Sequence, residues 1–351
     1  PEIWSADPKN QPTRRYGPGG SPWGTDIHPD GDLIAMGTAE GALQILSRES
    51  GELKLDESGH GMVWTAQFSP DGRYLISSSR RNGSAAILWT SEGEELCELR
   101  TPGDVRSVAF NKQGSLVATG SFDGWARIYT VPNGRLVGSF EHPRIVEDMV
   151  FGAEENLLIT GCSDGLVRFW CLDKEEERYP PLIHKDAVLA VDLSPDGTIL
   201  ATGGRDRTAR MWDTASRSPV GAILEHSDWV EDLDFSPDGA LLLTGCADRR
   251  TRLWSVASCE RVGPPYLHDR AVRTVLFDHD GRQFMTAAHP PGPEFWDVPE
   301  PVSLPGDQLD LWVQARTGRH MDEHGVLALL SPKEWQEVRE KLKLDGDQHL
   351  E

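Results

Sequence analysis

Three histidines of this chain stand with residues that could do chemistry. His142 is followed by Thr160 and Asp164, His184 by Thr202 and Asp206, and His226 by Thr244 and Asp248. An imidazole base, a hydroxyl nucleophile and an orienting carboxylate are the parts of an acyl-transfer site. The same set three times over argues for repeated structure rather than three active sites. Other candidates are weaker. His320 and His324 are four apart, but His-Met-Asp-Glu-His is not the H-E-x-x-H of a zinc helix. Asp278-His279-Asp280-Gly281 has a calcium-loop look, yet it fills the place where other segments carry a Ser-Pro-Asp-Gly turn. The five cysteines (Cys97, Cys162, Cys171, Cys246 and Cys259) include no C-x-x-C pair, so neither a zinc site nor a disulfide framework is indicated, and a reducing, cytoplasmic setting is expected. The chain has no phosphate-binding loop, nucleophile elbow or kinase catalytic loop. We therefore expect no enzyme, no cofactor and no metal.

The elements that hold these residues follow from composition and period. Of 351 residues, 35 are Gly and 24 Pro, spread along the chain, which means many turns. The formal net charge of −21 disfavours nucleic acid as a partner, and no apolar run is long enough for membrane insertion. Apolar anchors recur at Trp4, Leu46, Trp89, Tyr129, Trp170, Trp212, Trp254 and Trp296, spaced 40 to 43 residues apart. A turn residue recurs with the same period at Gly31, Gly72, Gly114, Asn156, Gly197, Gly239 and Gly281. Within one unit, Ala187–Leu193, Ile199–Thr202, Ala209–Trp212 and Val220–Leu224 read as four short strands separated by turn chemistry such as Ser194-Pro195-Asp196-Gly197. Four strands per unit and seven intervals predict an all-β fold: a seven-bladed β-propeller of four-stranded antiparallel blades.

Over residues 1–297 the chain resembles the WD-repeat (WD-40 type) family. Trp212-Asp213 and Trp296-Asp297 carry its signature dipeptide, while Thr90, Thr130, Cys171 and Ser255 replace the Asp elsewhere. The resemblance implies a buried, hydrogen-bonded tetrad of His, Ser/Thr, Asp and Trp. Three repeats match it in full: His142, Thr160, Asp164, Trp170; His184, Thr202, Asp206, Trp212; and His226, Thr244, Asp248, Trp254. These read as structural staples, because a buried indole and imidazole need partners. The third repeat puts Thr101 and Tyr129 at the His and Trp positions. The seventh keeps His268, Thr286 and Trp296 but has Pro290 at the Asp position, so the poor networks flank the ring closure. The family usually closes its ring with an N-terminal strand, here Thr13–Tyr16 as the outer strand of the last blade.

Partners of such propellers often bind where the central channel opens. Aligned repeats place Trp23, Trp64, Arg106, Glu147, Leu189, Glu231 and Arg273 at one mouth position, with Trp229 at a neighbouring one. Trp and Arg dominate interface energetics, so these residues, Leu189 apart, are the candidate partner-binding set. Pro1–Trp4 (Pro-Glu-Ile-Trp) repeats Pro293–Trp296 (Pro-Glu-Phe-Trp) and no initiator Met is present, so we expect the end of an earlier repeat and one part of a larger polypeptide. The propeller is expected over residues 1–304 and a short α-helical tail over 305–351. In the tail, Asp307–Thr317 reads as one helix, and Ser331-Pro332-Lys333-Glu334 is a capping box opening another. This tail resembles one in large bacterial WD-repeat proteins, some fused to a serine/threonine kinase. The expected function is a non-catalytic protein-protein interaction scaffold for peptide or protein partners, as the sensor or output region of a signalling protein. The alternative is a lactonase-like hydrolase with chemistry at the channel.

Overall fold

The computed structural model describes residues 11–16, 21–81, 83–154, 156–288 and 292–299, and in the tail 319–321, 327–329, 331, 333, 334 and 336–338. Chain contacts divide it into two units, one of residues 10–298 and one of residues 1–9 with 299–351.

The larger unit is a ring of seven antiparallel sheets of four strands each. Blade 1 spans residues 22–57, blade 2 66–100, blade 3 105–141, blade 4 146–183, blade 5 188–225, blade 6 230–267 and blade 7 272–297. Turn chemistry sets the hairpins. In blade 5, Asp196 accepts from the Ser194 hydroxyl (2.7 Å) and the Thr198 N–H (3.0 Å), the Ser194 hydroxyl accepts from the Ile199 N–H (2.9 Å), and Gly197 takes φ 74°. Blade 6 repeats this with Ser236, Asp238 and Gly239.

Between blades the contact is apolar. Ala190, Ala201, Met211 and Leu224 of blade 5 pack against Leu233, Phe235, Leu242 and Trp254 of blade 6. Other anchor tryptophans reach the preceding blade in the same way: Trp89 packs with blade 1, Trp170 with blade 3 and Trp212 with blade 4. The regular spacing of the anchors is thus the spacing of blade-to-blade interfaces, and no single sheet could bury both of its faces alone.

Blade 7 takes its fourth strand from the other end of the chain. Arg14–Arg15 pairs antiparallel with the strand Gly292–Asp297, Arg14 opposite Phe295 and Arg15 opposite Glu294. The Thr13 N–H donates to the Phe295 carbonyl (2.8 Å) and the Tyr16 N–H to the Pro293 carbonyl (3.1 Å). Tyr16, Ile27, Ile34, Met285 and Phe295 fill the seam between blades 7 and 1.

In the smaller unit, Arg319–Met321 pairs with Leu327–Leu329, a hairpin the sequence does not announce. Residues 333, 334 and 336–338 are helical. The Ser331 N–H donates to the Glu334 carboxylate (2.8 Å) and the Glu334 N–H to the Ser331 hydroxyl (3.3 Å), the two reciprocal bonds of a capping box. The expected helix at 307–317 and the expected repeat remnant at 1–4 lie outside the described residues.

Candidate functional site

The innermost strand of each blade is a sheet edge facing the central channel. In six blades its pairing skips one residue: Trp23, Arg106, Glu147, Leu189, Glu231 and Arg273. Each is the extra residue of a β-bulge, a device that re-aims a side chain and ends the ladder. In blade 2, Trp64 lies just ahead of the strand Ala66–Phe68, and its N–H donates to the Ser78 hydroxyl (2.7 Å). All seven residues line one channel mouth, with a cavity of about 250 Å³.

These side chains form a contact series around the mouth. Glu231 pairs with Arg273 (2.6 Å), whose guanidinium lies 5.1 Å from the centre of the Trp23 ring. Trp23 meets Trp64 edge to face at 4.5 Å. Arg106 lies 5.6 Å from the Trp64 ring and pairs with Glu147 (3.1 Å), which also accepts from the Ser163 hydroxyl. Read around the ring, blades 6 to 4 give Glu-Arg-Trp-Trp-Arg-Glu, and Leu189 of blade 5 completes the circle. Glu147 and Glu231 are buried, so both are held by desolvated, charge-assisted pairs. Trp229 stands apart. It is 41% exposed, is absent from the channel lining, and carries Arg205 over its ring at 4.7 Å.

Below the mouth lies a set of carboxylates that our sequence reading missed: Asp26, Asp148, Asp192, Asp232 and Asp234. Each accepts a backbone N–H from the next blade's innermost strand. Asp26 takes Phe68 (2.7 Å), Asp148 takes Val191 (2.9 Å), Asp192 takes Phe235 (2.9 Å), Asp232 takes Val275 (2.9 Å) and Asp234 takes Phe277 (2.5 Å). The N–H groups of an inner edge have no strand to pair with, and these carboxylates satisfy them across the blade boundary. Burial raises every one of their pKa values, Asp26 to about 7 and Asp148 to about 6, with mutual repulsion adding to Asp192, Asp232 and Asp234. Among the described residues, no three His, Cys, Asp or Glu side chains are grouped to hold a metal ion.

The histidine networks are not identical. In blade 5 the network has all four members: His184 bonds Asp206 through Nδ1 (3.1 Å) and Thr202 through Nε2 (2.7 Å), and the Trp212 indole donates to Thr202 (2.9 Å). In blades 4 and 6 the His, Thr and Trp members meet, but the Asp does not join. His142 and His226 turn Nδ1 to the carbonyls of Phe140 (3.2 Å) and Leu224 (3.0 Å). Asp164 and Asp248 are instead held by both guanidinium nitrogens of Arg168 and Arg252. The difference lies two residues after the Asp. Thr208 donates its hydroxyl to Asp206 (2.7 Å) and so occupies one carboxylate oxygen, leaving Arg210 a single contact. Leu166 and Arg250 offer no hydroxyl at that place, and the arginine fork closes on the carboxylate. Burial holds His142 and His226 neutral, both lowered to about 4, with Arg168 and Arg252 adding to the effect; burial also lowers His184.

In blade 7, where an Asp is lacking, Glu294 takes its place: His268 bonds Glu294 (3.2 Å), and Glu294 also pairs with Arg15 of the closing strand (2.7 Å). In blade 2, His60 bonds Ser79 (3.1 Å) and the Trp89 indole donates to Ser77 (3.0 Å).

Comparison with known proteins adds the family. The WD40 family (WD domain, G-beta repeat) matches residues 51–87, 93–130, 134–171, 182–213 and 217–255, together more than half of the chain. The human Angio-associated migratory cell protein is 25% identical over 40% of this chain and 32% of its own length. WD repeat-containing protein SL1-17 of Schistosoma mansoni is 26% identical over 32% of this chain and 51% of its own length. Eukaryotic translation initiation factor 3 subunit I of Phaeosphaeria nodorum is 36% identical over 21% of this chain and 22% of its own length. The chain thus spans between a fifth and a half of these relatives. Seven four-stranded blades, five family-matched repeats and recurring His–Thr–Trp networks lead to one conclusion: this chain belongs to the WD40 repeat family.

Proposed function

We propose that the protein is a non-catalytic interaction scaffold that receives a peptide or protein segment at the channel mouth. The observation that carries this reading is the bulge repeated in six blades, which sends one side chain per blade to a common rim. WD40 propellers typically serve as protein-interaction scaffolds. The relative from Phaeosphaeria nodorum is by its name a subunit of a larger factor. The rim is preorganised, because Arg106 and Arg273 are each held between a buried glutamate and an indole face. A partner therefore meets two aromatic surfaces and two fixed cations with little further ordering to do. All five cysteines are free thiols, in keeping with a reducing, cytoplasmic setting. A role as the output region of a signalling protein fits a rim of this kind.

The hydrolase alternative would place its chemistry on the channel carboxylates. Their oxygens, however, accept backbone N–H bonds that hold neighbouring blades together, which leaves them a structural task. Metal analysis of the purified protein separates the two readings, since stoichiometric bound calcium would favour the hydrolase. For the rim itself, a photo-crosslinking phenylalanine analogue at Trp64 is expected to trap a partner. The same analogue at Arg178, on the outer strand of blade 4, should not. Equal adducts at both positions would remove the rim as the binding site.

A further inference from the structure

On blades 5 and 6, two turn positions break the pattern of the ring. The turn joining the second and third strands needs a residue with positive φ, and blades 1, 3 and 4 use Gly41, Gly124 and Gly165 (φ 93°, 81° and 85°). Blades 5 and 6 put Arg207 and Arg249 there, at φ 65° and 67°. The five positions are equivalent, because each carbonyl accepts the N–H that opens the next blade: Gly41 from His60, Gly124 from His142, Gly165 from His184, Arg207 from His226 and Arg249 from His268. Left-handed backbone is strained for a branched-out side chain, and such strain is concentrated at sites of function. Both arginines are exposed, and neither has an ion pair among the described residues.

Trp229, 41% exposed, lies in the loop between these two turns with Arg205 over its face. Lys185 and Arg270 add exposed cations from the adjoining loops. The acids nearby include Asp186, Asp228 and Asp269, with exposed Glu225 opposite Thr208 on the outer strand of blade 5. The first two are turned back on backbone N–H groups of their neighbours, Ala187 (2.7 Å) and Trp229 (2.9 Å). Asp206 and Asp248 are held by Arg210 and Arg252. In a chain of net charge −21, this loop face gathers cations that form no ion pair among the described residues around an exposed indole.

We propose that the loop face of blades 5 and 6 docks an acidic, Asp/Glu-rich peptide segment. Its carboxylates pair with the guanidinium forks of Arg207 and Arg249, and an apolar residue of the segment covers Trp229 beside Arg205. The excess acid elsewhere on the chain repels an extended polyanion and leaves this face to a short one. The site lies outside the channel-mouth ring and does not rest on the reading of that ring.

The test uses a fluorescein-labelled peptide of Asp and Glu with one central Leu, its Asn/Gln counterpart, and a labelled single-stranded oligonucleotide. The full chain is expected to bind the acidic peptide in preference to both others, with affinity falling as salt rises. The double variant Arg207→Gly, Arg249→Gly restores the residue used by the other blades. It should melt no lower than the parent yet bind the peptide about tenfold or more weakly. A Trp23→Ala, Trp64→Ala variant should bind it as the parent does. Unchanged binding in the glycine variant, equal binding of the amide peptide, or tighter binding of the oligonucleotide would overturn the proposal. Loss of binding only in the Trp23→Ala, Trp64→Ala variant would assign the peptide to the channel mouth and also overturn it.

Discussion

Asp26 offers a direct view of the buried acid lining the channel. Its two oxygens accept the Ile27 N–H (2.9 Å) and the Phe68 N–H (2.7 Å), and burial raises its pKa from 3.8 to about 7. The folded state therefore holds this proton more tightly than the unfolded state does, and stability falls as pH rises between about 3.8 and about 7. Below that window the group adds no penalty, and above it the penalty is constant. Converted through the separation of the two pKa values, the cost is about 2 kcal/mol near pH 5 and about 4 kcal/mol near pH 8. Asp26→Asn removes the titration. It also removes one acceptor, a pH-independent loss of about 1–3 kcal/mol. Urea unfolding of parent and variant at both pH values isolates the first effect. The buried neutral histidines His142 and His226 pull the other way, losing stability below about 6.5, but they are common to both proteins and cancel in the difference. The variant should gain about 2–3 kcal/mol on the parent between pH 5 and pH 8. A difference that does not change with pH, or that moves toward the parent, would refute a desolvated carboxylate at this place.

Other consequences follow from named contacts. Thr202→Val deprives both His184 and the Trp212 indole of a partner and should cost about 2–4 kcal/mol in the same urea assay; a loss near zero would show that the network carries no stability. Gly24→Ala places a Cβ 2.4 Å from the Thr65 Cα, backbone that cannot rotate away, so a loss of about 2 kcal/mol or more and a lower melting temperature are expected. Hydrogen exchange should open first at the seam of blades 7 and 1, where a two-residue strand closes the ring, and Arg15→Ala should speed it. Fastest exchange in blades 4 to 6 would contradict that order.

Much of the ring is written in local chemistry. Gly197 and its counterparts mark turns because only a few residue types accept positive φ, and the tryptophan anchors mark interfaces because each indole spans two blades. The expected outer strand Thr13–Tyr16 pairs where it was placed, since backbone edges seek partners whatever their distance in sequence. What the linear order conceals is set by register and by competition. Glu294 stands two residues ahead of its anchor, the place held by Arg168, Arg210 and Arg252 in blades 4 to 6, and its carboxylate there bonds His268, while the register that sets Arg15 opposite it appears only in the fold. Whether Asp164 serves His142 depends on one hydroxyl that Leu166 lacks. The mouth residues could be aligned from the repeats, but the bulge that aims them is backbone geometry. The channel aspartates had a signal: Asp26, Asp192 and Asp234 each stand two residues ahead of a turn, the same acidic position in three repeats. Repeat alignment sets Trp229 at a position next to the mouth residues, and in the fold it lies outside the channel lining.

The central claim is that the ring of Trp23, Trp64, Arg106, Glu147, Glu231 and Arg273 is where this protein meets its partners. It is tested most directly by quantitative capture from source cells on the immobilised parent chain and on the Trp23→Ala, Trp64→Ala variant, both with intact circular dichroism and melting behaviour. The account predicts a defined set of proteins retained by the parent and lost by the variant. Identical sets on two equally folded proteins would contradict it.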